Sequence, residues 1–256
     1  MAVAYGNMNF KDGHGAGGNH DGADSLKNAF ASNVDFTNYT FSELTKETIR
    51  NSSIAAVDLP GTVRETLTHI KNLWNLDRGE TARRVYIDAW VTSAIVAVRD
   101  GTVIITAEEF FELSIQPPAG APQRGTGRMD YLICEMALTV GGVVPVYAPS
   151  LIIEAKAKLH NNPYNGVGQL VAEIDTVRDE AGYNNPLRGI VTDGRYWRFV
   201  EVDPNTNYVY FTDRYDTGAP DNWNADPPVW NDTRRVWGLI RHFFSTVRNT
   251  NRQLPG

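Results

Sequence analysis

The sequence has little sulfur, no long apolar run and no excess of positive charge, and each absence excludes a class of protein. The single cysteine, Cys134, cannot form an internal disulfide, and no Cys/His spacing typical of zinc sites occurs. No apolar run approaches the roughly 18 residues of a membrane span. The amino terminus also lacks the basic start and apolar core of a secretory signal. We therefore expect an intracellular protein in a reducing compartment, without a membrane partner.

Familiar hydrolase motifs are missing as well. The chain contains neither the H-E-x-x-H motif of zinc proteases nor the G-x-S-x-G motif of serine hydrolases. Its net charge of −6 argues against a protein that coats nucleic acid through a global positive field. Binding of nucleic acid through a local positive patch is still compatible with the sequence, because residues 234–256 contain five arginines and no acidic residue. A solvated arginine face on an amphipathic helix is the alternative interpretation of that stretch.

The sequence predicts one mixed α/β domain preceded by a different kind of segment. The 256 residues are 42% hydrophobic and 21% charged, as in ordinary globular proteins. Residues 1–40 have no hydrophobic periodicity, and we expect a flexible segment there. Gly13, Gly15 and Gly18 match G-x-G-x-x-G, but no strand precedes them and no Lys-Ser/Thr follows, so a phosphate loop is disfavoured. The domain is predicted to span residues 41–256.

Hydrophobic periodicity predicts four helices around a β-rich centre. One helix follows Pro60, and a second starts near Glu80 with Tyr86, Ser93 and Val96 on its buried face. The third is predicted at residues 164–178, and the last follows a loop at 213–228, with Asp232 or Thr233 as its cap. The predicted strands span residues 102–106, 113–116, 130–138, 151–158, 189–192 and 196–200. The tryptophans are assigned to the core rather than to base stacking.

Two of these strands carry the residues that predict chemistry. Residues i and i+2 of a strand project from the same face, so Glu154 and Lys156 are expected to point together. Leu151, Ile152 and Ile153 make the strand apolar, and charges on a buried strand are costly unless they pair, bind metal or face a cleft. Asp130 lies on the preceding strand, and a hairpin would bring its carboxylate to Glu154.

Two converging carboxylates form an oxygen-rich site suited to Mg²⁺ or Mn²⁺. A lysine beside them could orient the attacking water or stabilise the charge on phosphate, which is the chemistry of phosphodiester hydrolysis. The alternatives are a structural ion pair for Glu154 and Lys156, and a strand-entry residue for Asp130.

The arrangement resembles the PD-(D/E)XK nuclease superfamily. That family combines an acid-bearing helix, a strand with Asp, a strand with D/E-x-K and a helix that often carries Gln. The corresponding residues here are Glu80, Asp130, Glu154 with Lys156, and Gln169. Met129 stands at the position of the name-giving proline. The resemblance covers residues 61–200 and implies an α/β restriction endonuclease-like core, with a central mixed β-sheet flanked by helices.

The resemblance also implies a function. It is that of a nuclease dependent on Mg²⁺ or Mn²⁺ that acts on nucleic acid, DNA in preference to RNA. Asp130, Glu154 and Glu80 would hold the metal, Lys156 would position the nucleophile, and Gln169 would support the site. Phosphate contacts are expected from four basic residues: Arg83, Arg84, Arg128 and Lys158.

Several alternatives stay open at this stage. Gln169 is also consistent with a solvated helix residue or with an i,i+4 partner of Glu173. Glu80 is also consistent with an ordinary first-turn acid, and Glu65 lies on a predicted helix too. The sequence leaves open whether the chain forms a homodimer. A non-catalytic binding module that retains the fold is the alternative function, followed by an enzyme acting on small nucleotides.

Overall fold

The computed structural model describes residues 3–4, 40–43, 56–74, 80–98, 103–115, 123–139, 142–156, 159, 166–181, 187–203, 208–218, 223 and 226–250. The helices within them are α1 (Gly61–Leu73), α2 (Glu80–Val98), α3 (Val167–Ala181) and α4 (Pro227–Thr250). The strands are β1 (Val3–Ala4), β2 (Thr40–Glu43), β3 (Val103–Ile115), β4 (Gln123–Thr139), β5 (Gly142–Ala155), β6 (Leu187–Thr192), β7 (Tyr196–Asp203), β8 (Tyr208–Phe211) and β9 (Tyr215–Asp216). Apart from Val3, Ala4 and Thr40, the predicted flexible segment lies outside the described residues.

All the strands belong to one mixed sheet with the order β1-β4-β5-β6-β7-β8-β2. β3 pairs with β4, and β9 pairs with β7. β4 and β5 are antiparallel, as are β6 and β7, whereas β5 and β6 are parallel. The prediction of an α/β fold with a central mixed sheet flanked by helices is therefore confirmed. Among the helices within the described ranges, none is long and apolar enough to cross a membrane.

The strands around the predicted hairpin are longer than the sequence indicated. β4 begins at Gln123, so Asp130 lies inside the strand and does not open it. β3 is one strand where two short ones were predicted, because it pairs with β4 from Val103 opposite Glu135 to Ile115 opposite Gln123. The middle of β3 lacks the apolar pattern of a strand. It is nevertheless part of the strand, because backbone hydrogen bonds to β4 continue through it.

The buried face of α2 agrees with the prediction at Tyr86, which is 1% exposed, but not further along the helix. Val96 is 68% exposed and Ser93 is only half-buried, whereas Trp90 is completely buried. The Trp90 ring lies 5.5 Å from the Trp197 ring and 6.1 Å from the Trp237 ring, measured between centroids. The largest apolar side chain thus sets the rotation of the helix, since it buries the most surface. The assignment of tryptophans to the core is correct for these three.

α4 begins earlier than predicted, and its cap is Asp226. The Asp226 carboxylate accepts a hydrogen bond from the Val229 N–H at 3.4 Å. Asp232 and Thr233 lie in the second turn, where the Thr233 hydroxyl donates to the Val229 carbonyl at 2.7 Å. The predicted loop ran through Pro227 and Pro228, but proline is well tolerated in the first turn of a helix, where its missing N–H has no intrahelical partner.

α3 connects the parallel strands β5 and β6, and its apolar stripe is buried as predicted. The buried residues are Val167, Leu170, Val171, Ile174 and Val177. The helix approaches the sheet closely at Gly189, where an added Cβ would lie 2.5 Å from a Leu170 methyl carbon. This packing brings the first turns of α3 to the carboxyl end of β5, which is where open α/β sheets bind their ligands.

Candidate functional site

Asp130 and Glu154 face each other across the β4–β5 hairpin. The pairing of Tyr131 with Ile153 places Asp130 opposite Glu154 on the adjoining strand. One Asp130 carboxylate oxygen, Oδ2, accepts a hydrogen bond from the Ala155 N–H at 2.7 Å. Both acids are buried, with 8% of Asp130 and 3% of Glu154 exposed. The hairpin therefore brings the two carboxylates together as the sequence predicted.

Lys156 lies one residue beyond β5 and points back to Glu154. Its Nζ atom is 2.5 Å from Glu154 Oε1 and 2.5 Å from Gln169 Oε1 on α3. The Lys156 N–H also donates to the Thr192 carbonyl at 2.7 Å, which fixes the backbone against β6. Gln169 is 4% exposed, so the interpretation as a solvated helix residue is wrong.

Glu173 is a site residue that the sequence reasoning missed. Gln169 Nε2 donates to Glu173 Oε1 at 2.9 Å, so the i,i+4 interpretation of this pair is confirmed. The Glu173 side chain is fully buried. A signal was present, because Glu173 adjoins the apolar stripe of α3 beside Leu170 and Val177.

The hydrogen bonds of the two glutamates are incomplete. Among the described residues, neither Glu154 Oε2 nor Glu173 Oε2 has a hydrogen-bond partner, although both atoms are buried. Burial raises the pKa of Glu154 to about 7, against the opposing effect of the Lys156 charge. Burial and the charge of Glu154 raise the pKa of Glu173 well above its ordinary value. The centre therefore has more buried carboxylate than its neighbouring cations neutralise.

Arg83 and Arg84 of α2 each contact an acid at this edge of the sheet. The Arg84 guanidinium donates to Asp130 Oδ1. Arg83 Nη1 lies 3.2 Å from Asp193 Oδ2 just beyond β6. Asp193 lies between the predicted strands at residues 189–192 and 196–200, and no sequence spacing links it to Arg83. The Arg83 and Arg84 side chains are 14% and 28% exposed, so each still reaches the surface.

The remaining predicted site residues are placed only in part. Glu80 is the first residue of α2 and Arg128 pairs with Phe110 in the sheet, but both side chains lie outside the described residues. Lys158 lies outside them entirely. Glu65, the alternative helix acid, is exposed on α1. The roles assigned to Glu80, Arg128 and Lys158 stay predictions.

The donor set suits a hard cation held by few protein atoms. Within the parts of the chain that the structure describes, no group of three or more His, Cys, Asp or Glu side chains is arranged to hold a metal ion. Mg²⁺ commonly uses only one or two carboxylates and fills its remaining positions with water and substrate phosphate. Asp130 and Glu154 fit that pattern, because the buried Glu154 Oε2 is an oxygen without a hydrogen-bond donor among the described residues.

Comparison of the sequence with known proteins gives no independent assignment: no protein-family model matches the chain, and no curated protein matches it. The contacts of the side chains therefore carry the functional argument. They bring together Asp130, Glu154, Lys156 and Gln169, all predicted from sequence, and add Arg84 from the predicted phosphate contacts.

Proposed function

We propose that the chain is a nuclease dependent on Mg²⁺ or Mn²⁺, built on a restriction endonuclease-like core, that hydrolyses phosphodiester bonds in nucleic acid. One observation carries the proposal. Asp130 and Glu154 meet at the end of β5 with the Lys156 ammonium 2.5 Å from Glu154 Oε1, while the buried Glu154 Oε2 lacks a partner among the described residues. An unpartnered buried carboxylate oxygen is expensive, and cation binding is an explanation for it.

The side chains of the site would have separate roles in the reaction. Asp130 and Glu154 would hold the cation between β4 and β5. When bound, it would neutralise charge on the phosphate and lower the pKa of a bound water. Lys156 has three N–H donors, and two of them reach Glu154 and Gln169. The third can donate to the attacking water or to a phosphate oxygen, because 20% of the lysine side chain is exposed.

The proposed reaction balances without a further reactant. The water oxygen forms a bond to phosphorus, and the ester bond between phosphorus and one sugar oxygen breaks. One water proton passes to solvent, and the leaving sugar oxygen takes up a proton from solvent. Lys156 keeps its protons in this scheme and orients the water with the N–H donor that is not bound to Glu154 or Gln169.

Two arginines near the proposed reaction centre support a nucleic acid substrate. Arg84 lies against Asp130, and Arg83 lies at the end of the neighbouring strand, so two guanidinium groups border the proposed reaction centre. Guanidinium groups bind phosphate oxygens in a bidentate manner and position a backbone without reading its sequence. The preference for DNA over RNA comes from the family resemblance. The net charge of −6 favours binding through this local patch over general coating.

A non-catalytic binding module is the second candidate, and specific contacts favour it. Arg84 pairs with Asp130 and Lys156 pairs with Glu154, so both predicted metal ligands already have a cationic partner from the chain itself. A module of this kind would bind nucleic acid or protein without a metal. Metal dependence of binding and cleavage separates the two candidates.

The test is cleavage of supercoiled plasmid, linear duplex, single-stranded DNA and RNA in Mg²⁺, in Mn²⁺ and in chelator. We expect metal-dependent cleavage that falls by about 10²- to 10⁴-fold in Glu154→Gln and Lys156→Met. Glu201→Gln is the matched control, since Glu201 is also buried and pairs with Arg188 at 3.0 Å on another part of the sheet. Undiminished cleavage by both site variants would overturn the proposal, as would turnover of small nucleotides alone.

A further inference from the structure

Two polar side chains on α3 form a chain of hydrogen bonds that ends at Lys156. Gln169 Oε1 accepts from Lys156 Nζ at 2.5 Å, and one helical turn later Gln169 Nε2 donates to Glu173 Oε1 at 2.9 Å. The Glu173 side chain is fully buried, and it accepts a hydrogen bond from an amide rather than from a cation. The amide of Gln169 therefore connects a buried carboxylate to the ammonium group.

The orientation of the Gln169 amide matters for the lysine. A primary amide has an accepting end and a donating end, whereas an ammonium group can only donate. Only the oxygen end of the amide can therefore bind Lys156. Glu173 Oε1 accepts from the nitrogen end of the amide, and this contact keeps the amide oxygen turned toward Lys156.

We propose that Glu173 is a positioning residue of the nuclease site: it fixes the Gln169 amide and thereby holds the Lys156 ammonium beside Glu154. This inference rests on the function proposed above. Glu173 is buried at the edge of the apolar helix stripe, beside Leu170 and Val177, where a leucine would bury favourably. A buried carboxylate at such a position is costly, which supports a role for it at the site.

The test compares two substitutions of Glu173. Glu173→Leu removes the acceptor while keeping a similar volume, and it is expected to fold because its neighbours on the stripe are apolar. We expect it to lower kcat by about 10- to 100-fold, the usual effect of removing a group that orients a site residue, with KM little changed. Glu173→Gln keeps an oxygen that can accept from Gln169, and we expect it to retain most of the activity.

A double substitution separates positioning from a general structural role. In the Gln169→Leu background the amide is absent, so Glu173→Leu should cause no further loss of kcat. An equal loss in both backgrounds would overturn the proposal, because Glu173 would then act independently of Gln169. So would the failure of Glu173→Gln to retain more activity than Glu173→Leu.

A measurement without substrate keeps this proposal distinct from the nuclease proposal. The side-chain amide resonance of Gln169, assigned by its loss in Gln169→Leu, should be protected from hydrogen exchange. Protection should disappear in Glu173→Leu and persist in Glu173→Gln. Unchanged protection in Glu173→Leu would overturn the positioning role. Protection that behaves as expected in a protein without nuclease activity would uphold the contact and refute the nuclease function.

Discussion

Asp193 and Glu154 are equally buried acids at the ends of neighbouring parallel strands, yet their surroundings differ. Each is 3% exposed. Asp193 Oδ1 accepts from the Arg195 and Tyr196 N–H groups at 3.1 and 2.8 Å. Asp193 Oδ2 accepts from the Leu159 N–H at 2.8 Å and from Arg83 at 3.2 Å. By contrast, Glu154 Oε1 binds Lys156, while its Oε2 has no partner within the described part of the chain.

The difference teaches that burial alone does not mark a functional acid. Asp193 has partners for both oxygens and closes the β6–β7 turn, where Gly194 adopts a φ of +85°. A buried carboxylate with its hydrogen bonds satisfied stabilises a fold. In the absence of a bound cation, Glu154 destabilises the folded chain, because its contact with Lys156 only partly offsets the cost of burying the carboxylate. The two residues should therefore respond oppositely to neutral substitutions.

The largest expected effect on stability is that of Asp193→Ala. It would leave three backbone N–H groups and the Arg83 guanidinium without their acceptor, and we expect a loss of about 3 to 5 kcal/mol in the free energy of unfolding. Urea denaturation measures it. The control is Asp213→Ala at an exposed aspartate, which should change stability by less than about 0.5 kcal/mol. A similarly small effect at Asp193 would contradict the structural role.

The next largest effect is expected in the pH dependence of stability, to which Glu154 should contribute. Its pKa is raised from 4.5 to about 7, so the folded chain binds a proton there more tightly than the unfolded chain does. The resulting stabilisation is fully present below about pH 4.5 and is lost as the pH rises through about 7. We expect a loss on the order of 3 kcal/mol across this window in metal-free protein.

Glu154→Gln should flatten much of that pH dependence and raise metal-free stability at the alkaline end. Glu173 shifts in the same direction and is unchanged in this variant, so a smaller slope should persist. Glu201→Gln is the control and should keep the slope of the native chain, since it leaves Glu154 and Glu173 in place. Identical slopes in native protein and Glu154→Gln would contradict the assigned shift.

A smaller effect is expected at Gly166, where α3 approaches Lys156. Gly166 has a φ of +80°, and an added Cβ would lie 2.5 Å from Val191 Cγ1 and 3.2 Å from Lys156 Cε. We expect Gly166→Ala to cost about 1 to 3 kcal/mol and to reduce cleavage by displacing the lysine. Gly61→Ala is the control because an added Cβ there meets nothing within 4 Å. Equal stability of the two variants would argue against close packing at the lysine.

The sequence predicted those parts of the site that depend on local periodicity. Strand alternation placed Glu154 and Lys156 together, and the hairpin brought Asp130 opposite Glu154. The sequence could not supply the packing of α3 against β5, so only the family resemblance implied that Gln169 supports the site, and its contact with Lys156 was not predicted. Glu173 was considered only as a partner of Gln169 and was missed as a site residue, because a charged residue beside an apolar stripe is ordinarily assigned to the surface.

In the fold, too, local periodicity predicted some features, whereas others depend on tertiary packing. Helical periodicity located α1 and α3, but the rotation of α2 depends on the packing of Trp90 against Trp197 and Trp237, which are distant in sequence. The cap of α4 depends on whether Pro227 continues a loop or starts a helix, and local sequence allows both. Tertiary packing decided each case.

The central proposal is that Asp130 and Glu154, which meet near the end of β5, bind a divalent cation. Isothermal titration of Mn²⁺ and Mg²⁺ into the full chain at about pH 8, where Glu154 is ionised, tests it most directly. We predict saturable binding by the native chain and by Glu201→Gln, and its loss in Glu154→Gln. Absence of binding to the native chain, or equal binding by Glu154→Gln, would contradict the account.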